Sequence, residues 1–329
     1  MKPFAYARVT TLEDALAAAR EPGTVVLAGG TELLNWLRLG ISGPDRLVDI
    51  SRVAGLDRIE RLPGGGLRIG ALVRLNHVAA DEDVERDWPV LREAIHRSAS
   101  AQLRNLATIG ANLLQKTRCP YFRSEDSAPC NRRVPGSGCG ARQGHDERHA
   151  LFGWTEDCIA TQPSDPAVAL AALDAQVVTR SASGGRRIAV TDFHVLPADG
   201  VDRDTVLEHG ELIEAIELGA PAPRSAYVKV RERESYEYAL ASAAATVELD
   251  DGGRIESARI ALGSVALRPW RLTEAEHRIA GLAPDDPAVT AALAAALEQA
   301  HPVPGSAYKI AIARGAARRA LMTAAEVHP

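Results

Sequence analysis

The sequence predicts an α+β protein of two domains, on three observations. Its 329 residues exceed the usual size of a single core. Its first fifty residues read as a strand, a glycine turn, a helix and a second strand. Its last third reads as three antiparallel strands accompanied by helices.

The elements follow in order. A helix over 11–20 starts with a Thr/Glu spacing close to a capping box and places Leu12, Ala15, Leu16 and Ala19 at helical spacing. Residues 25–28 form a short buried strand, Gly29-Gly30-Thr31 turns the chain, 32–38 read as a helix and 46–50 as the second strand. Residues 66–73 alternate as a strand should, and 75–80 and 89–98 look helical. Beyond an irregular stretch, 166–173 suit a helix and 175–179 a strand; 190–194 lead into a turn-rich region, and 211–218 form another strand. Pro221-Ala-Pro223 reads as a linker. Residues 226–230, 245–249 and 255–262 are the three antiparallel strands, with Asp250-Asp-Gly-Gly253 as the hairpin signal between the last two. Helices at 274–279, 286–299 and 307–323 complete the chain.

Composition is that of an ordinary globular protein, 46% hydrophobic and 25% charged. Aromatic residues are only 4%, so Ala, Leu, Val and Ile must fill the cores. A formal charge of -5 gives no electrostatic case for nucleic acid. No stretch approaches the ~18 consecutive apolar residues of a membrane span. The first residues lack the apolar core of a signal peptide and a twin-arginine pair. The expected location is therefore cytoplasmic, or periplasmic when a signal-bearing partner carries the chain there. No Ser-His-Asp set, HExxH or paired-carboxylate signature argues for hydrolysis, and no residue is assigned a catalytic role.

Cysteine usage says more. The four cysteines, Cys119, Cys130, Cys139 and Cys158, share one loop and are separated by ten, eight and eighteen residues. The loop is rich in Gly, Pro, Arg and Ser, and so long an irregular segment is out of place in a compact domain unless something organises it. A secreted disulfide scaffold would be shorter and richer in cysteine. The C-x2-C pairs of zinc sites and the spacing of ferredoxins are both absent. Spacing alone leaves open an iron–sulfur cluster, a tetrahedral zinc and cysteines that bind nothing. His145 and His149 lie in the same loop and are read as surface or hydrogen-bonding residues. Arg118, Arg123, Arg132, Arg133 and Arg142 would offset the charge of thiolates, or form a solvated basic loop or subunit contact. Trp36, Trp88, Trp154 and Trp270 read as packing residues.

Three further motifs carry chemistry. In Leu27-Ala-Gly-Gly-Thr-Glu-Leu33, glycines after a buried strand let bare N–H groups and a hydroxyl approach a diphosphate, although a Gly-Gly pair is more often plain turn chemistry. Thr108-Ile-Gly-Ala-Asn112 again sets small residues beside a hydroxyl and an amide. In Gln162-Pro-Ser-Asp-Pro166, Ser164 or Asp165 can cap the following helix, and a carboxylate there can also accept from a ribose. None is a G-x-G-x-x-G or Walker sequence.

Together, in this order, these motifs resemble the FAD-binding subunit of the xanthine dehydrogenase and carbon monoxide dehydrogenase family, the molybdenum hydroxylases, across essentially the whole chain. Tyr227-Val-Lys-Val-Arg-Glu-Arg233 and Arg318-Arg-Ala-Leu321 are similar to that family's flavoprotein C-terminal domain. Arg118-Cys-Pro-Tyr-Phe-Arg123, Pro129-Cys-Asn-Arg-Arg133, Pro135-Gly-Ser-Gly-Cys139 and Cys158-Ile-Ala-Thr-Gln-Pro-Ser-Asp165 most resemble the flavin subunit of periplasmic-type bacterial aldehyde oxidoreductases. Typical members pass almost directly from the second turn to the Ser-Asp pair; here residues 113–163 intervene and hold every cysteine.

The resemblance implies a two-subdomain FAD-binding domain of PCMH/VAO type over 1–220, with subdomains 1–57 and 58–220 and a cluster-binding insertion at 116–162. It implies a CO-dehydrogenase-flavoprotein-type C-terminal domain over 221–329, with a three-stranded antiparallel sheet and helices. Carried over by residue, Leu27, Ala28, Gly29, Gly30, Thr31, Glu32 and Leu33 wrap one side of the FAD diphosphate, and Thr108, Gly110, Ala111 and Asn112 the other. Ser164 and Asp165 match the polar pair, and Lys229 a lysine near the flavin ring. Ala111 stands where the family has Gly, which fits if φ is negative there; Gln115 stands where animal xanthine dehydrogenases have Thr. The resemblance makes Cys119, Cys130, Cys139 and Cys158 ligands of a [4Fe–4S] cluster. It implies an electron-transfer subunit working with a large molybdenum-cofactor subunit and a small [2Fe–2S] subunit, in a heterotrimer or its multimer, and passing electrons from an aldehyde to an external acceptor. The flavin subunit of an aromatic acyl-CoA reductase and a non-catalytic, zinc-stapled scaffold subunit are the alternatives.

Overall fold

The structure, a computed structural model, describes residues 1–125 and 128–326. Among these residues the strands form three sheets. β1 (Ala5–Arg8), β2 (Thr24–Leu27) and β3 (Arg46–Asp49) pair in parallel in the order β1-β3-β2. All four residues of β1 are exposed, so it has no hydrophobic alternation to read. Pairing with β3 and the Asp49 carboxylate, which accepts from Tyr6 (2.6 Å) and Arg8 (2.9 Å), hold it in place. The helix Leu12–Ala19 starts as expected at Thr11, whose Oγ1 accepts from the N–H of Asp14 at 3.1 Å, and it buries Ala15, Leu16 and Ala19.

The second sheet, order β4-β5-β8-β6-β7, is antiparallel. Its strands are β4 (Ile59–Arg61), β5 (Leu67–Gly70), β6 (Gln176–Arg180), β7 (Arg187–Ala189) and β8 (Leu212–Leu218). β4 and β7 span three residues each, too few for periodicity to show. The helices Leu75–Ala80, Pro89–Arg97, Ile109–Leu113 and Asp165–Ala172 share its core. Every residue of Asp165–Ala172 is buried, which is why its sequence is an apolar run without a polar face. Trp88 is wholly buried in this core, the packing role expected of it.

The third sheet, order β12-β11-β10-β9, is antiparallel. It comprises β9 (Ser225–Val230), β10 (Ala241–Leu249), β11 (Ile255–Gly263) and β12 (Trp270–Arg271). The first three are the expected strands; β12 makes it four-stranded and is only two residues long. β10 begins before the expected residue 245 because Ala241, Ala243 and Ala244 are small. The helix Lys309–Glu326 packs on Ala241 and Ala243 through Ala313, Ala316, Ala317 and Ala320, while Ala244 faces the core of the second sheet, and this close packing overrides the helical preference of Ala. The Asp250 hairpin forms as read: Asp250 Oδ1 accepts from the N–H groups of Gly252 (2.9 Å) and Arg254 (2.8 Å).

The cysteine-bearing insertion has little regular structure: a helical turn Pro120–Arg123, a 3-10 turn Gly140–Gln143 and a bridge between Cys130 and Cys139. It is nonetheless anchored. Leu151 and Phe152 enter the core of the third sheet, where Phe152 stacks on Trp270 at 4.8 Å. No helix among the described residues is long and apolar enough to cross a membrane.

Candidate functional site

A cavity of about 450 Å³ opens between the first two sheets and the end of β9. Its walls carry Ala28, Gly29, Gly30, Thr31, Glu32 and Leu33 from the first motif and Thr108, Gly110, Ala111 and Asn112 from the second. Asp165 and Lys229 complete the expected residues on the wall. The two turns meet closely: a Cβ on Gly29 would run into the backbone carbonyl of Leu106, so only glycine fits. Gly30 has φ +74, again a glycine conformation. Ala111 sits inside the helix Ile109–Leu113 with no positive φ, so replacing the family's Gly costs the turn nothing. The hydroxyl of Thr108 is buried without a hydrogen-bond partner, and a phosphate oxygen beside it would satisfy that donor.

Two of the expected residues lie off the wall. Leu27 packs with Leu33, Leu37 and Leu47 beneath the turn. Ser164 accepts from the N–H of Ala167 (3.1 Å), capping the helix Asp165–Ala172, and donates to Asn112 Oδ1 (2.6 Å). It therefore performs the capping role and fixes the second motif from behind. Other wall residues carried no sequence signal: Leu75, Ala99, Glu211, Tyr236 and Tyr238 come together only through the fold.

The most deeply buried charges here are Asp165 and Lys229. Lys229 Nζ donates to Asp165 Oδ2 at 2.8 Å and to the Arg97 carbonyl at 3.1 Å, while the Tyr227 hydroxyl donates to Asp165 Oδ1 at 2.6 Å. Burial pushes the Asp165 carboxyl upward against the pull of Lys229; burial and Asp165 together push the Tyr227 phenol well above its ordinary value, keeping it a donor.

The four cysteines line one small pocket, together with Arg132 and His149, and all four are free thiols. The N–H groups of Tyr121 and Phe122 point to Cys119 Sγ, and that of Ala160 to Cys158 Sγ. His149 Nε2 lies 3.3 Å from Cys119 Sγ. Burial pushes the Cys119 thiol up to about 12 and the Cys158 thiol up to about 11. Arg132, its side chain 4% exposed, faces Cys158 and Asp204, and its buried Nε and Nη1 have no hydrogen-bond partner. Lys309 is fully buried with no carboxylate paired to it among the described residues; its Nζ donates to the carbonyls of His149 and Ser264 (2.7 Å each) and Arg148 (3.4 Å). Among the described residues, no three His, Cys, Asp or Glu side chains are placed to hold one metal ion.

Glu32 joins the two places. Its carboxylate pairs with Arg118 (2.8 Å) and Arg123, which flank Cys119, and accepts from Trp36 Nε1 (2.8 Å). Burial works against its charge, but the two guanidinium groups overcome this and hold its pKa below the ordinary value.

Comparison with known proteins agrees with this geometry. Residues 2–221 match the family described as the FAD binding domain in molybdopterin dehydrogenase, and residues 226–324 match the CO dehydrogenase flavoprotein C-terminal domain. The chain is 46% identical over 317 residues to the aldehyde oxidoreductase FAD-binding subunit of Escherichia coli (strain K12), covering 95% of this chain and 96% of that one. It is 31% identical over 338 residues to the 6-hydroxypseudooxynicotine dehydrogenase complex subunit alpha of Paenarthrobacter nicotinovorans, covering 98% and 96%. Among solved structures, quinoline 2-oxidoreductase from Pseudomonas putida 86 superposes with a TM-score of 0.76 at 26% identity, covering 99% of each chain. The chain therefore belongs to the FAD-binding subunits of the molybdenum hydroxylase family of oxidoreductases.

Proposed function

We propose that this FAD subunit is the electron-transfer component of a molybdenum-dependent aldehyde oxidoreductase, taking electrons from a large molybdenum-cofactor subunit by way of a small [2Fe–2S] subunit and delivering them to an external acceptor. The observation that carries the reading is the cavity in which both glycine turns, the unpartnered Thr108 hydroxyl, Asp165 and Lys229 converge. The aldehyde as substrate rests on the 46% identity to an aldehyde oxidoreductase subunit.

FAD supplies the exchange between paired and single electrons. The chain's own residues do the rest. Ala28 to Leu33 and Thr108 to Asn112 hold the diphosphate with backbone N–H groups and hydroxyls. Ser164 fixes Asn112, and Tyr227 orients Asp165, which in turn fixes the Lys229 ammonium at the cavity wall.

The same reading gives Cys119, Cys130, Cys139 and Cys158 a [4Fe–4S] cluster. Four thiols in one pocket, N–H groups aimed at sulfur and the unsatisfied donors of Arg132 all suit an anionic cluster. The chain divides, in this proposal, into an FAD-binding domain over 1–220 (subdomains 1–57 and 58–220, insertion 116–162) and a C-terminal domain over 221–329; the two family matches meet between residues 221 and 226, which supports that boundary. Its compartment is that of the complex: cytoplasmic on its own sequence, periplasmic with an exported partner.

The test is the complex reconstituted with its partners under anaerobic conditions. Mixing with an aldehyde should bleach the flavin band near ~450 nm, and a Cys139→Ser chain should lose iron while still binding FAD supplied in excess. Bleaching by an acyl-CoA couple and not by aldehydes would assign the reductase instead.

A further inference from the structure

We infer that Glu32 is a latch through which the cysteine insertion and the FAD cavity stabilise each other, so that filling either site tightens the other. The inference rests on the reading of both sites proposed above.

A carboxylate is out of place in a turn that receives a diphosphate, since like charges repel. Here it is neutralised from the other side. Glu32 Oε2 pairs with Arg118 at 2.8 Å, and Oε1 takes Arg123, Trp36 Nε1 and the N–H of Lys116 (3.3 Å). Arg123 goes on to donate to the carbonyls of Thr117 (2.9 Å) and Lys116 (3.0 Å), stitching down the segment that leads into Cys119. Arg118 lies over the ring of Tyr238 at 4.6 Å, and Tyr238 is itself part of the cavity wall. One carboxylate thus fixes the approach to the first cysteine and two parts of the flavin wall.

The burial makes the latch consequential. The side chains of Glu32 and Arg123 are 15% and 14% exposed, so removing Glu32 leaves Arg123 without its carboxylate in a largely buried place, and removing Arg123 leaves Glu32 paired with Arg118 alone. An insertion not tied down at Cys119 then frees Arg118 and loosens the turn. By linkage, whatever cluster loading contributes to FAD affinity, FAD contributes to cluster retention.

The experiment is a double-mutant cycle on the full chain, with Arg123→Ala and Cys139→Ser, FAD being stripped and titrated back. Arg123 is not on the cavity wall, so its loss reaches FAD only indirectly, through Glu32 and the 116–118 segment that the two hold together. Each single variant should weaken FAD binding on the order of tenfold, within the ~5–150-fold span of typical couplings. The double variant should be no weaker than the weaker single one. Unchanged FAD affinity in Arg123→Ala, or losses that multiply in the double variant, would overturn the latch. Glu32→Gln, which keeps the size of the side chain, runs the same cycle if Arg123→Ala does not fold, with the same outcomes deciding. Metal counts on the unaltered chain are read separately. Iron present without coupling sinks the latch and leaves the cluster; absence of iron sinks the cluster reading and the latch with it.

Discussion

At the flavin cavity a buried carboxylate meets a buried ammonium: Asp165 and Lys229 have side chains 6% and 1% exposed and sit 2.8 Å apart. Around the cysteine insertion the buried basic groups are less evenly matched. Lys309 is 0% exposed and held by carbonyls alone, while Asp204 is shared between Arg132 and Lys116, and Arg132 keeps two buried nitrogens without a partner. The cavity's charges are internally balanced, so its protein frame can stand before a cofactor enters. Arg132 sets a guanidinium beside the thiols, an arrangement that suits the anionic cluster proposed above. On the proposed function, one site is a preformed hollow and the other a cage that its cluster would complete.

Four substitutions break or sharpen that contrast. The largest effect is expected for Lys229→Met, which leaves Asp165 buried beside Tyr227 alone; unfolding in urea should show a loss of about 3–5 kcal/mol. A loss below about 1 kcal/mol would mean that the pair is not an internally balanced unit. Lys309→Met keeps the apolar stem and removes the cost of burying an ammonium, which offsets part of the loss when its carbonyls are left without a donor; the net cost should be roughly 1–3 kcal/mol. That damage should concentrate in the insertion, seen as new protease cuts within 116–162 and lowered iron content before any change in FAD content. Gly29→Ala forces a Cβ against the Leu106 carbonyl; overpacking of about 1–3 kcal/mol, carried into the cofactor site, corresponds to roughly 5- to 150-fold weaker FAD binding by fluorescence titration.

The smallest effect concerns pH. Burial works against the charge of Glu211 on the cavity wall, yet Arg186, the Thr179 hydroxyl and the N–H of Glu208 hold its pKa down to about 2, against an ordinary 4.5. A carboxyl depressed in the folded state contributes fully above the ordinary value, and the contribution is lost as pH falls through 2. Glu211→Gln should therefore cost roughly 1–2 kcal/mol at pH 7 and progressively less in denaturation curves taken below pH 4.5. A cost independent of pH would show that packing, not charge, is what Glu211 provides.

Legibility in the sequence tracked the same contrast. Gly29, Gly30 and Thr108 were readable because their chemistry is local: a turn that needs glycine, a hydroxyl next to it. The longer helices were readable from periodicity, whereas the short helices Glu82–Asp87 and Ala101–Arg104 and the alanine-rich first half of β10 were not. β1 escaped because all its residues are exposed, and β12 because two residues carry no period. Tyr238 and Glu211 joined the cavity by tertiary approach alone, which no spacing encodes. Glu32 was expected against the diphosphate; it lines the cavity, but its carboxylate is committed to Arg118 and Arg123, a partnership across some ninety residues that only the fold brings about. The cysteine spacing marked the insertion as organised around something without naming it.

The central claim, an FAD cavity beside a four-iron cage in one chain, is tested most directly by anaerobic purification followed by flavin, iron and zinc counts. The account predicts about one FAD and about four iron atoms per chain, with zinc near zero. Stoichiometric zinc with no iron and no flavin band would contradict it.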